Sequence, residues 1–141
     1  MSFLLDICVL SELRRPRSDA AVIQWFENAA EDSLFVSIIT LAGISRGIEK
    51  ARVIYYVHAV HLDTWLARIK FGFKNTTIEA DGEVWDKWAE MCGISDADGR
   101  PLPPIDALLL ATAHLYNLTR NIRNIRDFAP YPLIYNPWLE A

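Results

Sequence analysis

Three carboxylates stand out in this sequence because each lies in or beside an apolar stretch. Asp6 interrupts the run FLLDICVL, Asp106 lies within PPIDALLLATA, and Asp127 directly precedes Phe128. A charge in an apolar setting is costly unless it is paired or bound to a metal. A helix cap or a buried hydrogen bond explains each acid taken singly. Three acids gathered at one place instead predict a bound cation, and hard oxygen ligands suit Mg²⁺ or Mn²⁺.

Such a cluster would support metal-assisted hydrolysis of a phosphodiester. The ion activates a water molecule and neutralises the charge that develops on the phosphate. Competing chemistries have less support, because Cys8 and Cys92 show no CxxC spacing and no GxSxG, GxGxxG or Walker sequence is present. His58, His61 and His114 lie in helical patterns, where surface or core roles are commoner than metal ligation.

The strands that would gather these acids are predicted from apolar runs of strand length. Such runs occupy residues 2–8 and 34–39, and residues 76–80 suit a further short strand. Helical patterns separate these runs, including a long one over residues 52–71. The alternation favours an α/β layered domain with a parallel sheet flanked by helices. Sites in such sheets gather at the carboxyl ends of the strands, which is where Asp6 lies.

Capping residues predict where several helices begin. Asp19 and Asp81 suit the N-cap position, and Pro103-Pro104 suits the entry to a helix that carries Asp106 in its first turn. The helix dipole favours a negative charge there by about 0.3–1 kcal/mol. The segment 93–99, rich in Asp and Gly, is predicted to be a loop.

Length and composition predict a single domain over residues 1–141, because 52 % of the residues are hydrophobic and can form a packed core. No apolar run approaches the roughly 18 residues of a membrane span, and the amino terminus lacks the features of a signal peptide. We therefore expect a cytoplasmic protein. The net charge of −4 disfavours binding to nucleic acid by charge alone, so a polyanionic substrate would need a metal ion or a local basic cluster.

Several segments together resemble PIN-domain proteins, in particular the VapC/FitB-type toxins of bacterial toxin–antitoxin systems. They span almost the whole chain in the family's order. The matching segments are FLLDICVLSELRRP at 3–16, VSIITLAGISRGIE at 36–49, GRPLPPIDALLLATA at 99–113, LTRNIRNIRDF at 118–128 and YNPW at 135–138.

The resemblance implies a PIN-like, Rossmann-like fold and Mg²⁺- or Mn²⁺-dependent cleavage of RNA. It further implies a homodimer and a cognate antitoxin that occupies the site, with DNA contacted only through that antitoxin. The family's first and third acids correspond to Asp6 and Asp106, which would hold the metal. Its fourth acid corresponds to Asp127, with Asn124 as a polar neighbour and Arg123 beside it lining the site.

Two site-lining residues depart from the family's pattern. Cys8 stands where similar toxins have the asparagine of D-T-N, and Gly43 stands where they have the glutamate of T-x-x-E. Glu49 is a poor substitute for that glutamate because it lies about 600° further around the helix, well off the face of Gly43. Two functions stay open: an active endoribonuclease toxin, or a weak or inactive PIN domain that acts by dimerisation and antitoxin binding in transcriptional autoregulation. A small-molecule enzyme has the least support.

A last departure is the replacement of two apolar strand residues by Arg120-Asn121 within the repeat RNIRNIR. A strand inside a parallel sheet is normally apolar throughout, so this segment is less strand-like than the family's. Arg120, Arg123 and Arg126 could bind phosphate, pair with the carboxylates or face water. The last role is the commonest for such charge runs.

Overall fold

A parallel β-sheet forms the centre of the chain in the computed structural model, which describes residues 1–121 and the backbone of 134–135. Its strands are β1 (Phe3–Leu5), β2 (Leu34–Ser37), β3 (Thr77–Ile78), β4 (Thr119–Asn121) and β5 (Ile134–Tyr135). Within the described residues they lie in the order β3-β2-β1-β4-β5, and each neighbouring pair is parallel. The predicted α/β fold with a parallel sheet is confirmed.

Helices connect the strands and cover both faces of the sheet. They are α1 (Ile7–Arg14), α2 (Ala20–Asn28), α3 (Ile38–Ile54), α4 (Tyr56–Gly72), α5 (Gly82–Ala97) and α6 (Pro104–Leu115), with a short 3₁₀ turn at Glu31–Ser33. None of the helices in the described part of the chain is long and apolar enough to cross a bilayer.

Three helices begin where the capping residues and the proline pair predict. Asp19 accepts a hydrogen bond from the N–H of Ala21 at the start of α2, and Asp81 accepts one from the N–H of Val84 at the start of α5. Pro104 opens α6, where its missing N–H costs nothing. These three helix starts are confirmed.

Several predicted boundaries are wrong. The run 34–39 is a strand only as far as Ser37, because Ile38 and Ile39 begin α3, and residues 52–54 of the predicted helical segment 52–71 belong to α3 rather than to α4. The short strand predicted over 76–80 covers only Thr77–Ile78.

The first strand ends at Leu5 rather than at residue 8, because the N–H groups of Val9 and Leu10 both bond the carbonyl oxygen of Asp6 and close the first turn of α1. The predicted loop at 93–99 is helical as far as Ala97. The helix ends just before Gly99, whose φ of 72° favours glycine.

The core lies on both faces of the sheet, as alternation along β1 requires. Leu5 and Val36 point into a cluster formed with α1 to α4, whereas Leu4 and Leu118 point into a second cluster on the side of Ala113 in α6. Burial of each large apolar side chain stabilises the fold by about 1.5–3 kcal/mol. The sheet is thus fixed between two apolar layers. That residues 1–141 form one domain stays a prediction.

Candidate functional site

Asp6 lies at the carboxyl end of β1, where the chain turns into α1. It occupies the N-cap position of that helix but makes no side-chain cap hydrogen bond. Its Oδ1 atom instead accepts a hydrogen bond from Nη2 of Arg120 at 3.1 Å, and its Oδ2 atom accepts one from the thiol of Cys8 at 3.1 Å. The carboxylate therefore reaches across the carboxyl end of the sheet towards β4 and does not cap the helix. The Cys8 thiol that donates to Oδ2 lies in the first turn of α1, at the position where the resemblance predicts an asparagine.

Asp106 lies in the first turn of α6, as predicted, and faces Asp6 across Arg120. Its Oδ1 atom lies 3.4 Å from Nη2 of Arg120, and its carbonyl oxygen accepts a hydrogen bond from Nη1 at 3.5 Å. The side chain is 41 % exposed, compared with 15 % for Asp6. The two acids, called the acidic pair below, therefore differ in their access to solvent.

Arg120 joins the acidic pair from the interior of the sheet. It lies in β4 between β1 and β5, in register with Leu4, and only 3 % of its side chain is exposed. Residues in register on parallel strands share a face, so the side chain of Arg120 lies on the α6 face. We call Arg120 and the acidic pair the buried arginine bridge. Of the three roles left open for this arginine, pairing with carboxylates is the one observed.

A second arginine bridge lies on the surface between α3 and α4. Arg52 contacts Glu49 at 3.2 Å, and its Nη1 and Nη2 atoms donate to the two carboxylate oxygens of Asp63 at 3.0 and 2.9 Å. These hydrogen bonds hold the pKa of Asp63 below its usual value and raise the pKa of Arg52. Glu49 is therefore engaged in this exposed arginine bridge.

Gly43 lies exposed on α3, at the position where the resemblance predicts a carboxylate. A Cβ atom built there would meet nothing within 4 Å. The residue borders a groove of about 260 Å³ that is mainly apolar, and none of the described residues lining it is acidic. One wall carries Arg14, whose guanidinium lies 5.2 Å from the ring centroid of Trp65. The space for a glutamate is present but the charge is not.

A buried acid outside the acidic pair has a structural explanation. Glu12 of α1 forms a 3.0 Å salt bridge with Arg15, and its other carboxylate oxygen accepts a hydrogen bond from the N–H of Asp19 at 3.0 Å. These bonds fix the turn between α1 and α2. Glu12 needs no role in the site.

The remaining predicted site residues, Arg123, Asn124 and Asp127, lie outside the described residues. Among the residues that the structure describes, no group of three or more His, Cys, Asp or Glu side chains is placed to hold a metal ion. His58, His61 and His114 are exposed, which is the surface alternative of the two roles expected for them.

Mg²⁺ or Mn²⁺ does not fit the acidic pair as it stands. Both Oδ1 atoms already share one nitrogen of a guanidinium, which keeps its positive charge at any ordinary pH. A divalent ion at the same oxygens would lie a few ångströms from that charge, and the repulsion would be strong in a partly buried setting. From the sequence, pairing with the carboxylates is one of three roles open to Arg120. The signal that favours this role is an arginine at a position of a parallel strand where apolar residues are usual.

Comparison with known proteins gives a family and several full-length relatives. A family model described as PIN domain matches residues 3–127. Plasmid stability protein StbB of Pseudomonas syringae pv. tomato is 29 % identical, with 96 % of this chain and 97 % of StbB aligned. Toxin FitB of Neisseria gonorrhoeae is 25 % identical over the same shares of the two chains.

Solved structures show the same architecture. The crystal structure of FitAcB from Neisseria gonorrhoeae superposes with a TM-score of 0.86 at 26 % identity, over 97 % of this chain and 99 % of the other. VapBC2 from Rickettsia felis, bound to a DNA fragment from its promoter, superposes with a TM-score of 0.79 at 20 % identity. The superposition covers 96 % of this chain and 98 % of the other. A toxin–antitoxin complex from Klebsiella pneumoniae superposes with a TM-score of 0.69 at 23 % identity, over 96 % of this chain and 98 % of the other. At these lower identities the likeness is one of fold.

Proposed function

The chain belongs to the PIN-domain family, and on that premise we propose that it is the toxin-type component of a toxin–antitoxin pair. The relatives support this proposal because they match over nearly the whole length of both chains and one of them is named a toxin. A chain with that coverage has the elements of its relatives in the same order. The proposed location is the cytoplasm, where such a pair would meet its RNA and DNA.

The proposed partners follow from the family and from the neighbouring structures. One neighbour is a toxin–antitoxin complex and another is bound to promoter DNA. We propose that this chain forms a homodimer, binds a cognate antitoxin and reaches DNA only through that antitoxin. The acidic net charge supports the last point, because it disfavours direct binding to DNA.

The proposed chemistry is cleavage of RNA phosphodiester bonds, at a strongly reduced rate. One observation supports the reduced rate of cleavage. Two carboxylates, Asp6 and Asp106, meet at Arg120, whereas the position on α3 that would supply a third carboxylate is occupied by Gly43. Loss of one charged group from a metal-dependent site typically costs orders of magnitude in rate. Antitoxin binding needs no catalysis and is unaffected by that loss.

Two measurements on purified protein test the proposed function. Size-exclusion chromatography with light scattering should show a homodimer alone and a larger complex with the cognate antitoxin. An assay with single-stranded and structured RNA in Mg²⁺ or Mn²⁺ should show cleavage by the wild type that barely exceeds that of D6N. A chain that forms no complex with the antitoxin would contradict the proposed partner.

A fully active, Mg²⁺- or Mn²⁺-dependent endoribonuclease is the second candidate. It is favoured by the presence in the sequence of acids that correspond to three of the family's four, Asp6, Asp106 and Asp127. Robust metal-dependent cleavage by the wild type that D6N and D127N abolish would establish it. The double variant G43E/C8N, which restores two family residues, should raise a weak activity and should add little to a strong one.

A further inference from the structure

Arg120 is a buried arginine at an interior position of a parallel sheet, where apolar residues are the rule. A guanidinium taken out of water needs full compensation by acceptors. Asp6 and Asp106 supply acceptors to its two Nη atoms, the first from the neighbouring strand end and the second from the first turn of α6. The arginine and the two acids thus depend on one another.

The geometry of the contact matches that of a bridging cation. One nitrogen, Nη2, lies 3.1 Å from Oδ1 of Asp6 and 3.4 Å from Oδ1 of Asp106, so both carboxylates are held by a single positively charged group. The Nη1 atom bonds the carbonyl oxygen of Asp106 and anchors the guanidinium to the start of α6. The approach is from inside the protein, because the arginine is more deeply buried than either acid.

We propose that Arg120 is the resident cation of the acidic pair and takes the place that a divalent metal ion would otherwise fill. The pair is then held together without metal, and the wild-type chain binds Mn²⁺ weakly at this site. Removal of the arginine charge leaves two carboxylates facing each other, which a divalent cation would stabilise. Arg120 is here a positioning residue, because it acts through Asp6 and Asp106.

This inference goes beyond the proposed function, since it concerns the charge balance of the site and not its partner or substrate. It predicts a metal response for the isolated chain with neither RNA nor antitoxin present. A failure to bind an antitoxin or to cleave RNA would therefore leave it intact, and its own failure would leave the antitoxin proposal intact.

The test is Mn²⁺ binding by the purified protein. The electron paramagnetic resonance signal of free Mn²⁺ measures the affinity, and thermal unfolding in EDTA or in Mn²⁺ measures the effect on stability. The variant R120Q keeps an amide donor but loses the charge, and R120L fills the strand position with an apolar side chain. We expect R120Q to bind Mn²⁺ at least about tenfold more tightly than the wild type, and Mn²⁺ to raise its unfolding temperature. The matched control R52Q, which removes the exposed arginine, should bind Mn²⁺ as the wild type does.

The double variant D6N/R120Q decides whether the gain comes from the acidic pair. It should lose the tighter binding, because one of the two ligands is gone. Equal Mn²⁺ affinity of the wild type and R120Q, or a gain that survives in D6N/R120Q, would overturn the proposal. If R120L does not fold, R120Q provides the measurement alone.

Discussion

Two arginine bridges occur within the part of the chain that the structure describes, one buried and one exposed. In each, one guanidinium contacts two carboxylates. The side chain of Arg120 is 3 % exposed, whereas that of Arg52 is 31 % exposed. Water and salt screen the exposed bridge but have little access to the buried one. We therefore expect burial, rather than the number of hydrogen bonds, to decide how much each bridge contributes to the stability of the fold.

The largest expected effect is the loss of the buried arginine. R120Q should lower the free energy of unfolding in EDTA by about 2–3 kcal/mol, because it leaves two carboxylates near one another without a cation. This expected loss of stability is smaller than the loss for a fully buried ion pair, because Asp106 is partly exposed to solvent. Urea denaturation measures it, and R52Q is the matched control. If R52Q is as destabilised as R120Q, burial does not separate the two bridges.

The next effect separates the two acids of the buried bridge. D6N should cost about 1–2 kcal/mol in the free energy of unfolding, because Asp6 accepts from both Arg120 and Cys8 and has little access to water. D106N should cost less, since its carboxylate is already partly solvated. Urea denaturation of D6N and D106N measures the two losses in the free energy of unfolding. A larger loss for D106N than for D6N would contradict this expectation and would show that the contact of Arg120 with Asp106 contributes more than its contact with Asp6.

A smaller effect is expected from filling the gap on α3. G43E should raise the free energy of unfolding by about 0.5 kcal/mol, because glutamate favours a helix more than glycine and its Cβ meets open space. G47E, one turn further on at an equally open position, is the control and should give the same gain. Mn²⁺ should stabilise G43E/R120Q more than G47E/R120Q. Equal responses would mean that Gly43 does not face the acidic pair.

The smallest effect belongs to the exposed bridge. R52Q should slightly destabilise the protein at neutral pH, and the difference should shrink as salt is added. The hydrogen bond from Arg52 lowers the pKa of Asp63 in the folded state. The contribution of Asp63 to the free energy of unfolding is therefore fully present above the ordinary pKa of 3.8. It is lost as the pH falls through the lowered value. Urea denaturation of wild type and R52Q across pH and salt checks this, and a difference that grows in acid would contradict it.

Much of the site's position could be predicted from local sequence. The apolar run before Asp6 and the proline pair before Asp106 are sufficient to place one acid at a strand end and the other in a first helical turn. The end of β1 could not be predicted, because Ile7, Cys8 and Val9 suit a strand as well as a buried helical turn. Packing of α1 against the sheet settles the choice.

The role of Arg120 could not be predicted for a different reason. Its partner Asp6 is 114 residues away in the chain, and no local pattern reports a contact at that distance. The repeat around it also offers three arginines with equal claims from sequence alone. Only the register between β1 and β4 selects Arg120, because it sets this residue beside Leu4 on the face covered by α6.

The most direct test of the account is a double-mutant cycle on the free energy of unfolding, carried out in EDTA with D6N, R120Q and the double variant. The same cycle on D63N and R52Q serves as the reference. The account predicts a coupling of about 1.5–3 kcal/mol between Asp6 and Arg120, clearly larger than that of the exposed pair. A coupling no larger than that between Asp63 and Arg52 would contradict the claim that Arg120 holds the acidic pair together without metal.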